Sequence, residues 1–271
     1  MNELEIKQLQ QIIEEIEKTV KNTEQAQRHI KYLQNIINRT EDINHSIKKC
    51  SDPNYLPTYN EAEFILNNTN YEQWSNFINQ QDSIIYEFLN QDYINALASY
   101  IKNRKNNSKE YKILEAGAGN GRLTHFLRKK LNEINLNEFD LIATDSGSWN
   151  INPDFPVENI CINDALNKYN PDMVIFSWMP YQEDFTQTIR DCASVNEYIL
   201  IGKTDFGCCG DMWLTWGIQS YKDEINNYKI KPYIKDGFIR TDLAKLEQHQ
   251  ICRTDKGRGR QSKTVSFKRE K

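Results

Sequence analysis

Apolar residues recur in steps of three and four from the start of the chain. Ile6, Leu9, Ile13, Ile16, Val20 and the β-branched Thr23 fall on one helical face, and the pattern resumes at Ile30 and Ile37. Residues 1–50 contain neither Gly nor Pro, so this spacing predicts a long helix. The seam suits a coiled coil, although Gln27 and Gln34 fall on it and weaken it. Two readings stay open: a homodimeric coiled coil, and a helix packed on its own domain or on a helical partner. Ser51-Asp-Pro-Asn-Tyr-Leu-Pro57 ends the helix, because each Pro removes a donor and restricts the residue before it. Residues 60–104 return to helical spacing. Asp82 is placed there to cap a helix running through Ile84, Ile85, Phe88, Leu89, Ile94, Leu97 and Ile101.

From Tyr111 the texture changes. Short apolar runs occur at Tyr111–Ala116, Phe139–Thr144, Asn159–Ile162, Met173–Phe176 and Tyr198–Ile201. Segments long enough for helices separate several of them, notably Arg122–Leu131 and Glu183–Ala193. Strands alternating with helices predict an α/β fold, a mostly parallel sheet covered on both faces. Near the C-terminus, Gln250–Arg253 and Thr264–Phe267 flank a Gly- and Arg-rich connection and are expected to close the sheet as an antiparallel hairpin. The organisation read from the chain is an N-terminal helix over 1–50, a linker and helical cover over 51–110, and an α/β domain over 111–271.

Composition narrows the function classes. Hydrophobic residues make up 38% of the 271, low for a compact chain of this length, so part of it is expected outside the core. A net charge of −4 gives no global pull toward nucleic acid or anionic membrane. No apolar run is long enough to span a bilayer and the first residues do not read as a signal peptide, so the cytosol or nucleus is the expected location. The six cysteines then read as reduced thiols rather than a disulfide framework. Arg253, Lys256, Arg258, Arg260, Lys263, Lys268, Arg269 and Lys271 make the C-terminal hairpin basic. Such a loop is either a solvated turn or a grip on nucleic-acid phosphates, and aromatic partners for the second role are sparse.

The chemistry concentrates in Glu115-Ala-Gly-Ala-Gly-Asn-Gly121, between a predicted strand and a predicted helix. Gly117, Gly119 and Gly121 let the backbone turn sharply and approach a ligand. In the dinucleotide fingerprint the third glycine comes three positions after the second; here it comes two after. Glu115 precedes the loop, where a carboxylate can pair with a cationic amino-acid head group that a dinucleotide lacks. Both features disfavour an NAD-dependent oxidoreductase. Asp145 ends the second strand, placed to accept from both hydroxyls of a ribose. Asp164 follows the third apolar run, placed to meet the exocyclic amine of an adenine.

This ordered set resembles the class I methyltransferases, whose first motif is an acid followed by Gly-x-Gly-x-Gly. The resemblance implies a Rossmann-like, mostly parallel seven-stranded sheet with helices on both faces and a C-terminal antiparallel hairpin, here preceded by the long N-terminal helical region. It also implies S-adenosylmethionine as cofactor. Carried over residue by residue, the binding positions are Glu115, Gly117, Gly119, Gly121, Asp145 and Asp164, with their neighbours Ala118, Ser146 and Ala165 and the fourth-strand end Ser177-Trp178. Together with Ser177-Trp-Met-Pro180 and Gly202-Lys-Thr-Asp-Phe-Gly-Cys-Cys-Gly210, the segment of about residues 111–268 is similar to a little-characterised group of methyltransferase-like proteins. The first 50 residues lie outside the resemblance, and it supplies no substrate.

The acceptor is expected beyond the strand ends. Trp178 and Tyr181 would form one wall, since aromatic faces favour a sulfonium or methylated cation; packing of the domain is the alternative use of Trp178. The motif distantly resembles the Asp-Pro-Pro-Tyr of amino-group methyltransferases, but Ser177 stands where that family holds the amine, so nucleobase methylation is not carried over. Asp205 and Trp213 complete the expected substrate wall. Asp184, Asp205 and Asp211 are the candidate bases, unranked, and in-line positioning is expected to supply much of the catalysis. Cys208, Cys209, His249 and Cys252 offer a metal reading that adjacent cysteines disfavour, so no metal is expected. The acceptor, whether small molecule, protein or RNA, stays open. The rival function is a catalytically silent module that works through a partner of the N-terminal helix.

Overall fold

The described residues among the first 50 form two helices rather than one. The structure, a computed structural model, describes residues 3–20, 23–80, 83–104, 111–134, 139–219 and 230–270. Helix α1 spans Glu3–Thr19 and α2 spans Glu24–Cys50. The predicted continuous helix is interrupted because Thr23 takes an extended conformation and its hydroxyl accepts from the Ala26 amide at 3.3 Å, capping α2 ahead of Glu24. The apolar seam therefore closes within the chain. Ile6 and Ile13 of α1 are buried with Leu33 and Ile37 of α2, while Leu9, Ile16 and Ile30 pack at the margin.

The last turn of α2 belongs to a different cluster. Cys50 and Ile47 pack with α3 (Tyr59–Asn68) and α4 (Tyr71–Ile78), around Ile65, Trp74 and Phe77. Capping boxes start both short helices, Thr58 with Glu61 and Asn70 with Gln73. Two very short strands, β1 (Asn79–Gln80) and β2 (Ser83–Ile84), pair after α4. Asp82 lies outside the described residues. The helix expected to follow it starts later, as α5 (Gln91–Lys102), with Asn90 accepting from the Tyr93 amide at 2.9 Å.

Residues 85–88 instead run as an extended strap. Phe88 N–H donates to the Ile251 carbonyl at 2.7 Å and Arg253 N–H to the Tyr86 carbonyl at 3.0 Å. Long-range pairing has overridden a helical apolar pattern, at a place where the partner lies far along the chain.

Seven strands form the main sheet: β3 (Tyr111–Ala116), β4 (Phe139–Asp145), β5 (Glu158–Asn159), β6 (Met173–Ser177), β7 (Glu197–Gly202), β8 (Phe238–Asp242) and β9 (Lys263–Arg269). Their order is β5-β4-β3-β6-β7-β9-β8. The first five are parallel, and β9 runs antiparallel to both β7 and β8. This is a Rossmann-like doubly wound sheet with a C-terminal antiparallel hairpin, as expected. Alternate residues feed two cores: Ile113, Ile175 and Ile199 face α5 and α6 (Arg122–Glu133). Leu114, Val174 and Leu200 face α7 (Ile162–Tyr169) and α8 (Thr186–Asp191).

Two boundaries in the sheet differ from the sequence reading. The hairpin partner of β9 is Phe238–Asp242, not Gln250–Arg253, which joins the strap at residues 85–88. As the sheet edge, β8 is buried only at Phe238, so its Phe-Ile-Arg-Thr-Asp reads as barely apolar. The third apolar run pairs only over Glu158–Asn159, and Ile162 already begins α7. Two further short helices, α9 (Pro232–Lys235) and α10 (Ala244–Glu247), flank β8. Among the described residues no helix is long and apolar enough to cross a membrane.

Candidate ligand-binding cavity

The connection out of β3 leads to β4 on one side, whereas β6 leads to β7 on the other. The crevice between the carboxyl ends of β3 and β6 is therefore a topological switch point, where open α/β sheets bind ligands. A cavity of about 500 Å³ opens there. It brings together Glu115, Gly117, Ala118, Gly119, Asp145, Ser146, Ser177, Trp178 and Tyr181 of the expected positions.

The glycine loop is fixed from below. Ala118 N–H donates to the Thr144 carbonyl at 2.9 Å, and Gly119 N–H donates to Asp145 Oδ2 at 2.9 Å. Asp145 Oδ1 accepts from Gly147 N–H at 2.8 Å. Each oxygen thus holds one backbone donor and keeps one lone pair. Gly117 has φ +64°, and a Cβ there would meet the Phe176 ring at 2.8 Å, so both backbone and packing require glycine. At Gly119 a Cβ would meet only Ile151 Cδ1, at 3.6 Å; that position faces open space and needs glycine for its φ of +54° alone.

Glu115 is buried beneath the loop, with Oε2 accepting from the Thr124 amide at 2.9 Å in the first turn of α6. Burial pushes its carboxyl up to about 7 against the pull of that hydrogen bond. Gly121 is the left-handed N-cap of α6 and does not line the cavity.

The opposite wall comes from the strap and the end of β6. Trp178 has φ +57°, a left-handed conformation that costs a non-glycine residue about 1–3 kcal/mol. Its amide donates to the Ile201 carbonyl at 2.7 Å, and its indole N–H donates to Glu87 Oε2 at 3.0 Å. Tyr86 packs against the indole, with ring centroids 5.5 Å apart, and Arg253 lies over the Tyr86 ring. Tyr181 sits at the rim, 61% exposed. Glu87 lines the cavity and was absent from the sequence-based candidates. The signal available was an acid inside the apolar run Ile84-Ile-Tyr-Glu-Phe-Leu89. Burial pushes its carboxyl up to about 7, opposed by hydrogen bonds from Ser262, Trp178 and Gln250.

Other expected positions lie elsewhere. Asp164 is exposed on the first turn of α7, where its Oδ2 accepts from the Cys161 thiol at 3.2 Å; Cys161 and Ile162 line the cavity in its place. Ala165 is buried in the core. Asp205 is paired with Arg240 and Trp213 is half-buried, both away from the cavity wall. Asp184 accepts from the hydroxyls of Thr186 and Thr215, at 2.6 and 2.8 Å. Asp211 accepts from the amides of Trp213 and Leu214. All three candidate bases are thus spent on holding loops and helix ends. Trp216 is core, donating to the Cys209 carbonyl at 2.6 Å.

Cys209 Sγ accepts from Lys203 N–H, the Cys252 thiol donates to Asp255, and His249 packs on Tyr59. Among the described residues no three His, Cys, Asp or Glu side chains converge as a metal site. Cations of the basic segment bond within the chain: Arg260 with Glu63 at 2.7 Å, Lys263 with Asp242 at 3.4 Å, and Arg269 with three backbone carbonyls. Lys271 lies outside the described residues.

No protein-family model matches the chain, and no curated protein matches it. Solved structures that align with it include the CurJ carbon methyltransferase, at 12% identity over 91% of this chain and 71% of that one, TM-score 0.38. The citrinin polyketide synthase CMeT domain aligns at 13% identity over 88% and 69%, TM-score 0.42. The plantazolicin methyltransferase BpumL, solved with SAH, aligns at 11% identity over 86% and 99%, TM-score 0.35. The Rossmann-like fold of this chain rests on its own strand order and connectivity.

Proposed function

We propose that the chain is an S-adenosylmethionine-dependent methyltransferase. One observation carries the reading: Asp145, the amide-tethered glycine loop and the end of β6 face a single cavity at the switch point of the sheet. The chain's own groups fit a methionine-bearing nucleoside. The two remaining lone pairs of Asp145 match the two hydroxyls of a ribose. Ile160 and Ile162 offer an apolar seat for a base, and Glu115, which also lines the cavity, supplies a carboxyl group to pair with an ammonium group. The open space at Gly119 admits close approach of a ligand to the backbone.

When bound, this cofactor supplies a methyl group activated on a sulfonium. The contribution of the protein is to orient the acceptor along the Trp178–Tyr181 wall and to keep water away with the apolar strap.

Isothermal titration with S-adenosylmethionine, S-adenosylhomocysteine and NAD tests the reading. Saturable binding of the first two and none of NAD is expected. Binding of NAD alone would return the chain to the oxidoreductases. Binding of none would leave the silent module, acting through a partner of the N-terminal helices.

A further inference from the structure

Glu87 is the acid in the cavity that no fold-level expectation accounts for. Its two oxygens are not equivalent. Oε2 accepts two hydrogen bonds, from the Trp178 indole at 3.0 Å and the Ser262 hydroxyl at 2.7 Å. Oε1 accepts one, from Gln250 Nε2 at 3.1 Å, and so keeps a lone pair. The orientation of the Gln250 amide is set behind it. Thr264 Oγ1 donates to Gln250 Oε1 at 2.8 Å, which leaves the Tyr93 hydroxyl, 2.8 Å away, to donate to Thr264. A chain of buried donors thus fixes the Glu87 carboxyl in the cavity wall beside the strained Trp178 at the end of β6.

We propose, building on the methyl-transfer reading, that Glu87 is the proton-accepting carboxylate at the reacting centre, serving an acceptor whose nucleophile is an O–H or N–H carried on an apolar body. The apolar body is matched by Ile85, Phe88 and Met179, which line the same cavity. In the balanced step the bond from the acceptor heteroatom to the methyl carbon forms as the carbon–sulfur bond breaks, its electron pair staying on sulfur. The acceptor proton passes to Glu87 Oε1. One positive charge leaves sulfur and one negative charge is neutralised on Glu87, so the apolar cavity carries no net charge from this pair before or after transfer.

That pairing has a consequence that can be read without knowing the acceptor. In the free protein, burial holds a fraction of Glu87 protonated near neutral pH. Asp255 adds to this, while Cys252, Cys209 and Tyr93 stand around the carboxyl and Arg253 lies over Tyr86 next to it. A sulfonium placed beside Glu87 favours the carboxylate and expels its proton; the neutral thioether does not. Glu115 responds to the ammonium group that both ligands share, and so cancels between them.

The test is titration calorimetry of the full chain at pH 7 in phosphate and in Tris, buffers of different ionisation enthalpy. S-adenosylmethionine is expected to release about half a proton more than S-adenosylhomocysteine, the fraction set by a group titrating near 7. In Glu87→Gln the difference should vanish, while S-adenosylhomocysteine binds within about three-fold of wild type. An equal difference in wild type and Glu87→Gln would overturn the assignment, as would no difference in wild type between pH 5.5 and 8.5. If wild type binds neither ligand, the methyl-transfer reading itself fails, and this assignment with it.

Discussion

Asp205 gives both carboxylate oxygens to the guanidinium of Arg240, at 2.6 and 3.1 Å, tying the loop after β7 to the edge strand β8. The fork leaves no reason to count Asp205 as a base, because the pair is held by geometry suited to stability. Asp205→Ala is expected to lower unfolding free energy by about 1–3 kcal/mol in denaturant titrations. Affinity for S-adenosylmethionine should stay within a factor of about three, and a larger loss would place Asp205 at the ligand.

Asp145 joins a structural role to its proposed binding role. Replacing it with Ala removes the acceptor for Gly119 and Gly147 amides as well as the two lone pairs proposed above to meet a ribose. Calorimetry should show affinity for S-adenosylhomocysteine falling by at least about thirty-fold, roughly 2 kcal/mol. The melting temperature should drop by a few degrees, as expected for about 1 kcal/mol of lost backbone support. Unchanged affinity would refute the ribose assignment.

A pH dependence follows from Glu115. Its folded carboxyl sits above the usual carboxylate range, so between about pH 4.5 and 7 the folded state holds a proton that the unfolded state has lost. Its contribution to stability is present below that window and is lost as pH rises through about 7. Denaturant midpoints should therefore fall from pH 5 to pH 8 more steeply in wild type than in Glu115→Gln. Comparison between the two cancels the opposing His125, whose pKa burial lowers. Equal slopes would mean that the carboxyl is not raised.

The N-terminal helices should be separable only in part. Deleting residues 1–22 removes α1 and exposes Leu33 and Ile37, so the remaining chain should fold but be less soluble. Deleting residues 1–50 also removes Ile47 and Cys50 from the cover around Trp74, and Cys50 from the cavity wall. The second deletion should cost about 2–4 kcal/mol more than the first, measured by denaturant unfolding. Equal stability would place the domain boundary at residue 50.

Where the sequence was legible, a local pattern and the three-dimensional arrangement agreed. Parallel strands such as Tyr111–Ala116 and Tyr198–Ile201 are largely buried on both faces and stand out as short, mostly apolar runs. The glycine loop and Asp145 were legible because loop and strand end are set by their own local chemistry. The edge strand Phe238–Asp242 was not, since half of it meets water and its pattern is weak. The break at Thr23 was written in a single cap residue within an otherwise unbroken helical pattern. Glu87 escaped because its role depends on partners 91, 163 and 175 residues away, and nothing near it in sequence announces them.

The strap at residues 85–88 bonds to residues 251–253, and Glu87 and Cys252 face one another as a bridge pair. A ribosome makes the chain in one direction, and Gln250, a partner of Glu87, is emitted 163 residues after it. The glycine loop and Asp145 are synthesised before the residues that complete this wall. Closure of the chamber thus waits on residues 251–253 as well as on the strap. A chain ending before residue 250 would carry the glycine loop and Asp145 without the segment that pairs with the strap.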